Sequence, residues 1–101
     1  MEVKTVQQWM DWSGATFSKA TAHSSFCKLE DEMKELYEAL QEGDVYRTRE
    51  EIIDCIMCLL HIAERVGCTG SEIAVVFRHK FNVNRDREWI ENTNGSYSHK
   101  K

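Results

Sequence analysis

Residues 29–40, LEDEMKELYEAL, carry five carboxylates in twelve positions. Leu29, Met33, Leu36 and Leu40 run through them at steps of three and four, the spacing of one helix face. Phe26 and Tyr37 widen that stripe. The stretch is therefore a helix, and the acids are either its solvated side or a set of ligands. Charge runs are ordinarily solvated faces, so the neighbouring segment has to decide.

That neighbour is EIIDCIMCLLHIA, residues 51–63. Ile52, Ile53, Ile56, Met57, Leu59, Leu60 and Ala63 form a broad apolar surface, expected of a helix buried on most sides. Gly43 and Gly67 are placed to end the two long helices. Thr48-Arg-Glu-Glu51 and Thr69-Gly-Ser-Glu72 fit the S/T-x-x-E pattern of a helix start. A connection of about five residues joins the long helices, which makes them an antiparallel hairpin. A short helix is expected before Gly14. Another covers residues 71–83, with Ile73, Val76, Phe77 and Phe81 toward the core. Proline is absent and no alternating apolar pattern occurs. The fold class is all-α: a single domain over 1–101, a small bundle of about four helices around a central hairpin. The polar tail, about 92–101, reads as mobile until a ligand or partner orders it.

Charge is unevenly divided. Residues 1–54 hold 12 acids and 6 bases, whereas residues 55–101 hold 5 acids and 7 bases. An acidic half with a basic half allows metal on one side and phosphate on the other. No apolar run is long enough to span a membrane, and MEVKTVQQWMDW lacks the layout of a signal peptide. A cytoplasmic protein is expected. Cys55 and Cys58 have CxxC spacing, but they lie within a turnless apolar helix and read as small core residues.

Glu32 and Glu35 are three apart on the first long helix, and Glu51 and Asp54 three apart on the next. Each pair shares a helix face, and antiparallel packing lets the pairs confront one another. Four converging carboxylates repel unless a hard divalent cation bridges them. By helical rise, Glu35 and Asp54 lie roughly 9–12 Å from the turn. Glu32 and Glu51 are less well matched in height, which suits a spread site for more than one ion. Asp54 on so apolar a helix is costly unless paired or bound. Spacing alone still leaves the solvated face and the metal site both open.

Lys28-Leu-Glu-Asp-Glu32-Met-Lys-Glu35 followed by Glu51-Ile-Ile-Asp54, with fifteen residues between, resembles the EExxE…ExxD signature of MazG-like all-α nucleoside triphosphate pyrophosphohydrolases. Asp31 stands where that signature has its first Glu. Trp12-Ser-x-x-x-Thr16-Phe17, Lys80-x-x-x-Asn84-x-x-Arg87-x-Trp89 and Gly95-x-x-x-His99 are similar to the phage and bacterial dATP/dGTP diphosphohydrolase branch. The resemblance covers about residues 9–99. It implies Mg²⁺, with Mn²⁺ as a substitute, held by Glu32, Glu35, Glu51 and Asp54. It implies cleavage of a (deoxy)nucleoside triphosphate to the monophosphate and pyrophosphate, with Glu35 and Glu32 as catalytic candidates. Lys80, Asn84 and Arg87, with Arg85 as a weaker candidate, would meet the phosphates, and Trp12 would stack the base. A bacterial cell or its phage is the implied setting, and a dimer or tetramer the implied assembly. Two other readings compete. One is a helix-turn-helix DNA-binding protein built on residues 63–80, disfavoured by a recognition helix that begins with an acid and continues apolar. The other is a non-catalytic helical assembly module.

Overall fold

The computed structural model describes all 101 residues. Its elements run α1 (Val3–Thr16), α2 (Ala22–Glu42), α3 (Val45–Arg65), α4 (Gly70–Asp86), β1 (Trp89–Glu91) and β2 (Tyr97–His99). The chain divides into a first compact unit, Met1–Ser71, and a second, Glu72–Lys101.

In the first unit α3 is the central element, packed by α2 along one side and α1 along another. Thr21 and Ser24 start α2 with a reciprocal capping box, so two amide donors at the helix end are satisfied. Gly43 ends α2 with φ 69°, a left-handed conformation that a side chain would strain. Its amide donates back to the carbonyls of Ala39 and Leu40. Asp44 then caps α3 by accepting from the Arg47 amide at 3.0 Å. The hairpin connection is thus only Gly43 and Asp44, tighter than the five residues expected. The Thr48 start is also displaced: Thr48 lies one turn inside α3, and its hydroxyl donates to the Asp44 carbonyl at 2.7 Å. An aspartate beside the turn glycine supplies the cap earlier in the chain than the threonine can. At the other end of α3, Gly67 takes φ 87° just past the helix, as expected.

α1 extends through Gly14 to Thr16 and fits closely against α3. Met10 and Ser13 are fully buried, and the Trp9 indole N–H donates to the Met57 carbonyl at 2.9 Å. Arg65, at the end of α3, donates to the carbonyls of Gly14 at 2.9 Å and of Ser18 and Ala20 at 3.4 Å. These acceptors belong to the last turn of α1 and the chain just after it, where helical carbonyls lack partners.

Two burial expectations are overturned. Of the α2 stripe only Leu29 is buried; Phe26, Met33, Tyr37 and Leu40 are more than half exposed. Ile52 and Ile53 of α3 are about 40% exposed, and Asp54 lies in solvent. The reason is geometric: a helix flanked by two others covers only part of an apolar surface this wide.

In the second unit, α4 is followed by a two-stranded antiparallel hairpin, with Trp89 opposite His99, Ile90 opposite Ser98 and Glu91 opposite Tyr97. The tail expected to be mobile therefore supplies a strand. Asn92 bridges the Ser96 and Ser98 hydroxyls at 3.0 Å each, and Gly95 turns the chain with φ 86°. The Trp89 indole N–H donates to the Asn84 carbonyl at 2.9 Å, tying the hairpin to α4. Val76, Phe77 and Phe81 are exposed rather than turned into a core. Within a unit of one helix and one hairpin, there is too little surface to cover them.

Candidate metal centre and adjoining pocket

Glu32 of α2 and Glu51 and Asp54 of α3 bring one carboxylate oxygen each to within 4.8 Å of one another. The hairpin geometry explains the grouping. Glu32 and Asp54 are each eleven residues from Gly43, so they stand level across the two helices. Glu51 sits one turn nearer the connection on the face it shares with Asp54. The Lys28 ammonium pairs with Glu32 at 3.0 Å, one turn back along α2.

Glu51 is the unusual member. Its side chain is only 14% exposed, and its Oε2 is buried without any hydrogen-bond partner. Burial, followed by the charges of Asp54, Glu32 and Glu35, raises its carboxyl above the ordinary range. Orphaned buried oxygens are rare because desolvation is uncompensated. A divalent cation of oxygen preference satisfies such an atom and removes the repulsion among the three acids. The donor set therefore fits Mg²⁺ or Mn²⁺.

The structure places Glu35 differently from the other three. Its carboxylate accepts from Arg47 at 3.0 Å. The same guanidinium takes Glu42 at 2.9 Å and Glu38 at 3.3 Å and approaches Glu51 at 3.9 Å. Arg47 is thus an internal counterion at the turn end of the acidic groove, and Glu35 is engaged by it.

Beyond Glu32 and Asp54 a pocket of about 490 Å³ opens, walled by Trp9, Phe17, Ala20, Met57, Cys58 and His61. This is within the size of small-molecule sites. Trp9 and Trp12 pack with their rings tilted by 32° and centroids 5.4 Å apart, Phe17 meets Trp12 edge-on at 5.6 Å, and Phe17 meets the His61 ring edge-on at 5.7 Å. Trp12 braces the two pocket aromatics from behind, is 54% exposed, and is not itself a wall residue. The four cysteines are free thiols; burial raises the Cys55 and Cys58 thiols above their ordinary range. In the second unit, Arg87 donates to the Asn84 side-chain oxygen at 3.2 Å, and Lys80 lies exposed one turn before Asn84 on α4.

Sequence reasoning missed Arg47, Ser13 and His61. A signal for His61 was present: it follows Asp54 by seven residues, two turns along the same face of α3.

The family model for dATP/dGTP pyrophosphohydrolases matches residues 5–100. The chain belongs to the dATP/dGTP pyrophosphohydrolase family. It is accordingly a nucleotide pyrophosphohydrolase and not a non-catalytic module. Among solved structures it is similar to the MazG-like pyrophosphohydrolase of cyanophage S-2L, which is bound to dGDP and three catalytic Mn²⁺ ions per active site. The two are 22% identical, the match covers 100% of this chain and 99% of that one, and the TM-score is 0.75. The MazG-like all-α fold is therefore shared. No curated protein matches.

Proposed function

We propose that the protein hydrolyses dATP and dGTP to the monophosphate and pyrophosphate with Mg²⁺, Mn²⁺ serving in its place. The observation that carries this is the orphaned Glu51 oxygen within the Glu32–Glu51–Asp54 cluster, two of whose members also line the pocket. An acidic groove repels a triphosphate unless cations stand between them, and the cyanophage relative holds Mn²⁺ beside a nucleotide. Bound at these carboxylates, divalent cations supply Lewis acidity toward the phosphate oxygens and lower the pKa of water.

The chain's own residues then divide the work. Glu32, Glu51 and Asp54 would hold the cations, with Glu35 as a fourth ligand once released from Arg47. Water attacks the α-phosphorus in line; the bond to the α–β bridging oxygen breaks, and pyrophosphate departs. Glu35 is assigned the proton released by the attacking water, with Glu32 the second catalytic candidate. Lys28, already directed at the cluster by Glu32, neutralises a phosphate oxygen. Lys80, Asn84 and Arg87 are proposed for the departing phosphates on the resemblance alone. Trp12 supports the base indirectly, through Trp9.

A homo-oligomer is part of the same proposal. Phe26, Met33, Tyr37 and Leu40 make a wet apolar stripe along α2, which a second copy would cover. The setting proposed is the cytoplasm of a bacterial cell, with the gene its own or a phage's; no helix is long and apolar enough to cross a membrane.

The test is a panel of dNTPs and NTPs with Mg²⁺ or Mn²⁺, resolving pyrophosphate from orthophosphate. Pyrophosphate from dATP and dGTP, lost in Asp54→Asn by about 100-fold or more, is expected. Release of orthophosphate alone, or undiminished turnover in Asp54→Asn, refutes the proposal.

A further inference from the structure

His61 is 6% exposed and lines the pocket, yet its Nε2 is buried and has no hydrogen-bond partner. The other ring nitrogen, Nδ1, lies 3.1 Å from the Ser13 hydroxyl. Ser13 is itself fully buried, and its hydroxyl donates to the Met10 carbonyl at 3.2 Å. A hydroxyl has one hydrogen. With that hydrogen assigned to Met10, the Ser13 oxygen accepts and the imidazole proton is assigned to Nδ1. The neutral ring then leaves Nε2 as a bare lone pair. A buried acceptor of this kind is unfavourable in the free protein and is compensated only by a donor that arrives.

What arrives is constrained by the surroundings. Trp9, Phe17, Ala20 and Met57 present apolar surface, two of them flat rings, with the Trp9 N–H already given to the Met57 carbonyl, while Ser24, Ser25 and Cys58 complete the lining. The charged end, at Glu32 and Asp54, is two helical turns away along α3, roughly 10 Å by helical rise. That separation is of the order of the distance from a nucleotide's α-phosphate to the far edge of its base.

We propose that His61 Nε2 is the base-reading atom: it accepts a hydrogen bond from an N–H on the six-membered ring edge of the purine. Adenine offers its amino group there, and guanine its imino and amino groups. Ser13 is the positioning residue that fixes the tautomer. Phe17, half exposed and standing across the His61 ring, is the side chain a base displaces on entry. The inference rests on the nucleotide reading above, but it concerns binding and is separable from the reaction.

The experiment uses the whole chain labelled with ¹⁵N at histidine, with dAMP as the probe and no metal, so that nothing turns over. The Nε2 signal of His61, identified by its loss in His61→Gln, starts as that of an unprotonated nitrogen without a partner. It shifts toward the hydrogen-bonded position on saturation with dAMP. The monophosphate of 2′-deoxynebularine, a purine without ring substituents, leaves it in place. In turnover, dATP is favoured over 2′-deoxynebularine triphosphate by about tenfold or more in kcat/KM, the worth of one good hydrogen bond. His61→Phe, which keeps a flat ring and removes the acceptor, equalises the two substrates. An Nε2 signal indifferent to dAMP, or a wild type that does not discriminate, overturns the proposal, as does a preference that persists in His61→Phe. If His61→Phe does not fold, the wild-type spectrum decides alone. Movement of Nε2 with dAMP while no nucleotide yields pyrophosphate would uphold the base site and reject the reaction.

Discussion

Gly14→Ala tests the contact that seats the last turn of α1 against the end of α3. A methyl group at Gly14 would lie 2.5 Å from the Glu64 carboxylate carbon and from Oε1, and 2.8 Å from Oε2. A long glutamate could ordinarily swing away from such a clash. This one is held: Arg65 donates to both of its oxygens, and the same guanidinium donates to the Gly14 carbonyl at 2.9 Å. Alanine in place of a helical glycine gains up to about 1 kcal/mol of helix propensity. Overpacking against a fixed neighbour costs about 1–3 kcal/mol. The net expectation is a loss of about 1 kcal/mol, or roughly 4–8 °C in Tm for a domain this size. In a Glu64→Ala background the clash is gone, and Gly14→Ala stabilises by up to about 1 kcal/mol. Thermal or urea unfolding of the four proteins measures both effects and their coupling. If Gly14→Ala stabilises the wild type as much as it does the Glu64→Ala protein, the carboxylate is not fixed by Arg65 and the reasoning fails. The contact matters to the site because Arg65 also donates to the carbonyls of Ser18 and Ala20, in the segment that follows Phe17, and Phe17 and Ala20 both line the pocket.

Divalent metal and stability should be coupled through Glu51. At a hundred times its Kd, Mn²⁺ raises the stability of the wild type by about 2.7 kcal/mol over protein in chelator. Glu51→Gln loses that increment, and without metal it melts no lower than wild type, since one of three crowded carboxylates has become neutral. An increment retained in Glu51→Gln would move the metal away from this cluster. A second prediction concerns acid. Burial, and then the Arg65 guanidinium, lower the His61 pKa below its ordinary value near 6.5. As pH falls through that value the unfolded chain takes up a proton that the folded ring refuses, so stability declines until the lower folded value is passed. Glu64, held below the usual carboxylate range chiefly by its Arg65 hydrogen bonds, adds a decline in the same direction at lower pH. Urea unfolding between pH 7.5 and 5.5 should show the first slope in wild type and a flatter one in His61→Gln; equal slopes would contradict a buried neutral imidazole.

The residues that made the fold legible are those whose information is local. Period-three-and-four apolar spacing marked both long helices, and Gly43 and Gly67 marked their ends because a left-handed backbone position demands little else. Pairs such as Glu51 and Asp54 are also local, since two residues three apart share a helix face whatever surrounds them. Even the level pairing of Glu32 with Asp54 is implicit in their equal distance from Gly43 once the connection is known to be two residues long.

What depends on the approach of separate segments had to await the tertiary structure. Glu35 has the same spacing credentials as Glu32, yet Arg47 engages it, because the tight turn brings the first turn of α3 against the last turns of α2. Thr48 fits a helix start as well as Asp44 does, and only the closed hairpin shows which one caps. The orphaned Nε2 of His61 arises from Ser13, forty-eight residues away, whose hydroxyl is committed to its own helix. By itself, then, the sequence determined the helices, the acid pairs and the family of reaction. Tertiary structure decided which three acids converge, which one an arginine engages, and where the apolar pocket lies against them. Those outcomes turn on distances between side chains far apart in the chain, and helical periodicity carries no information about such distances.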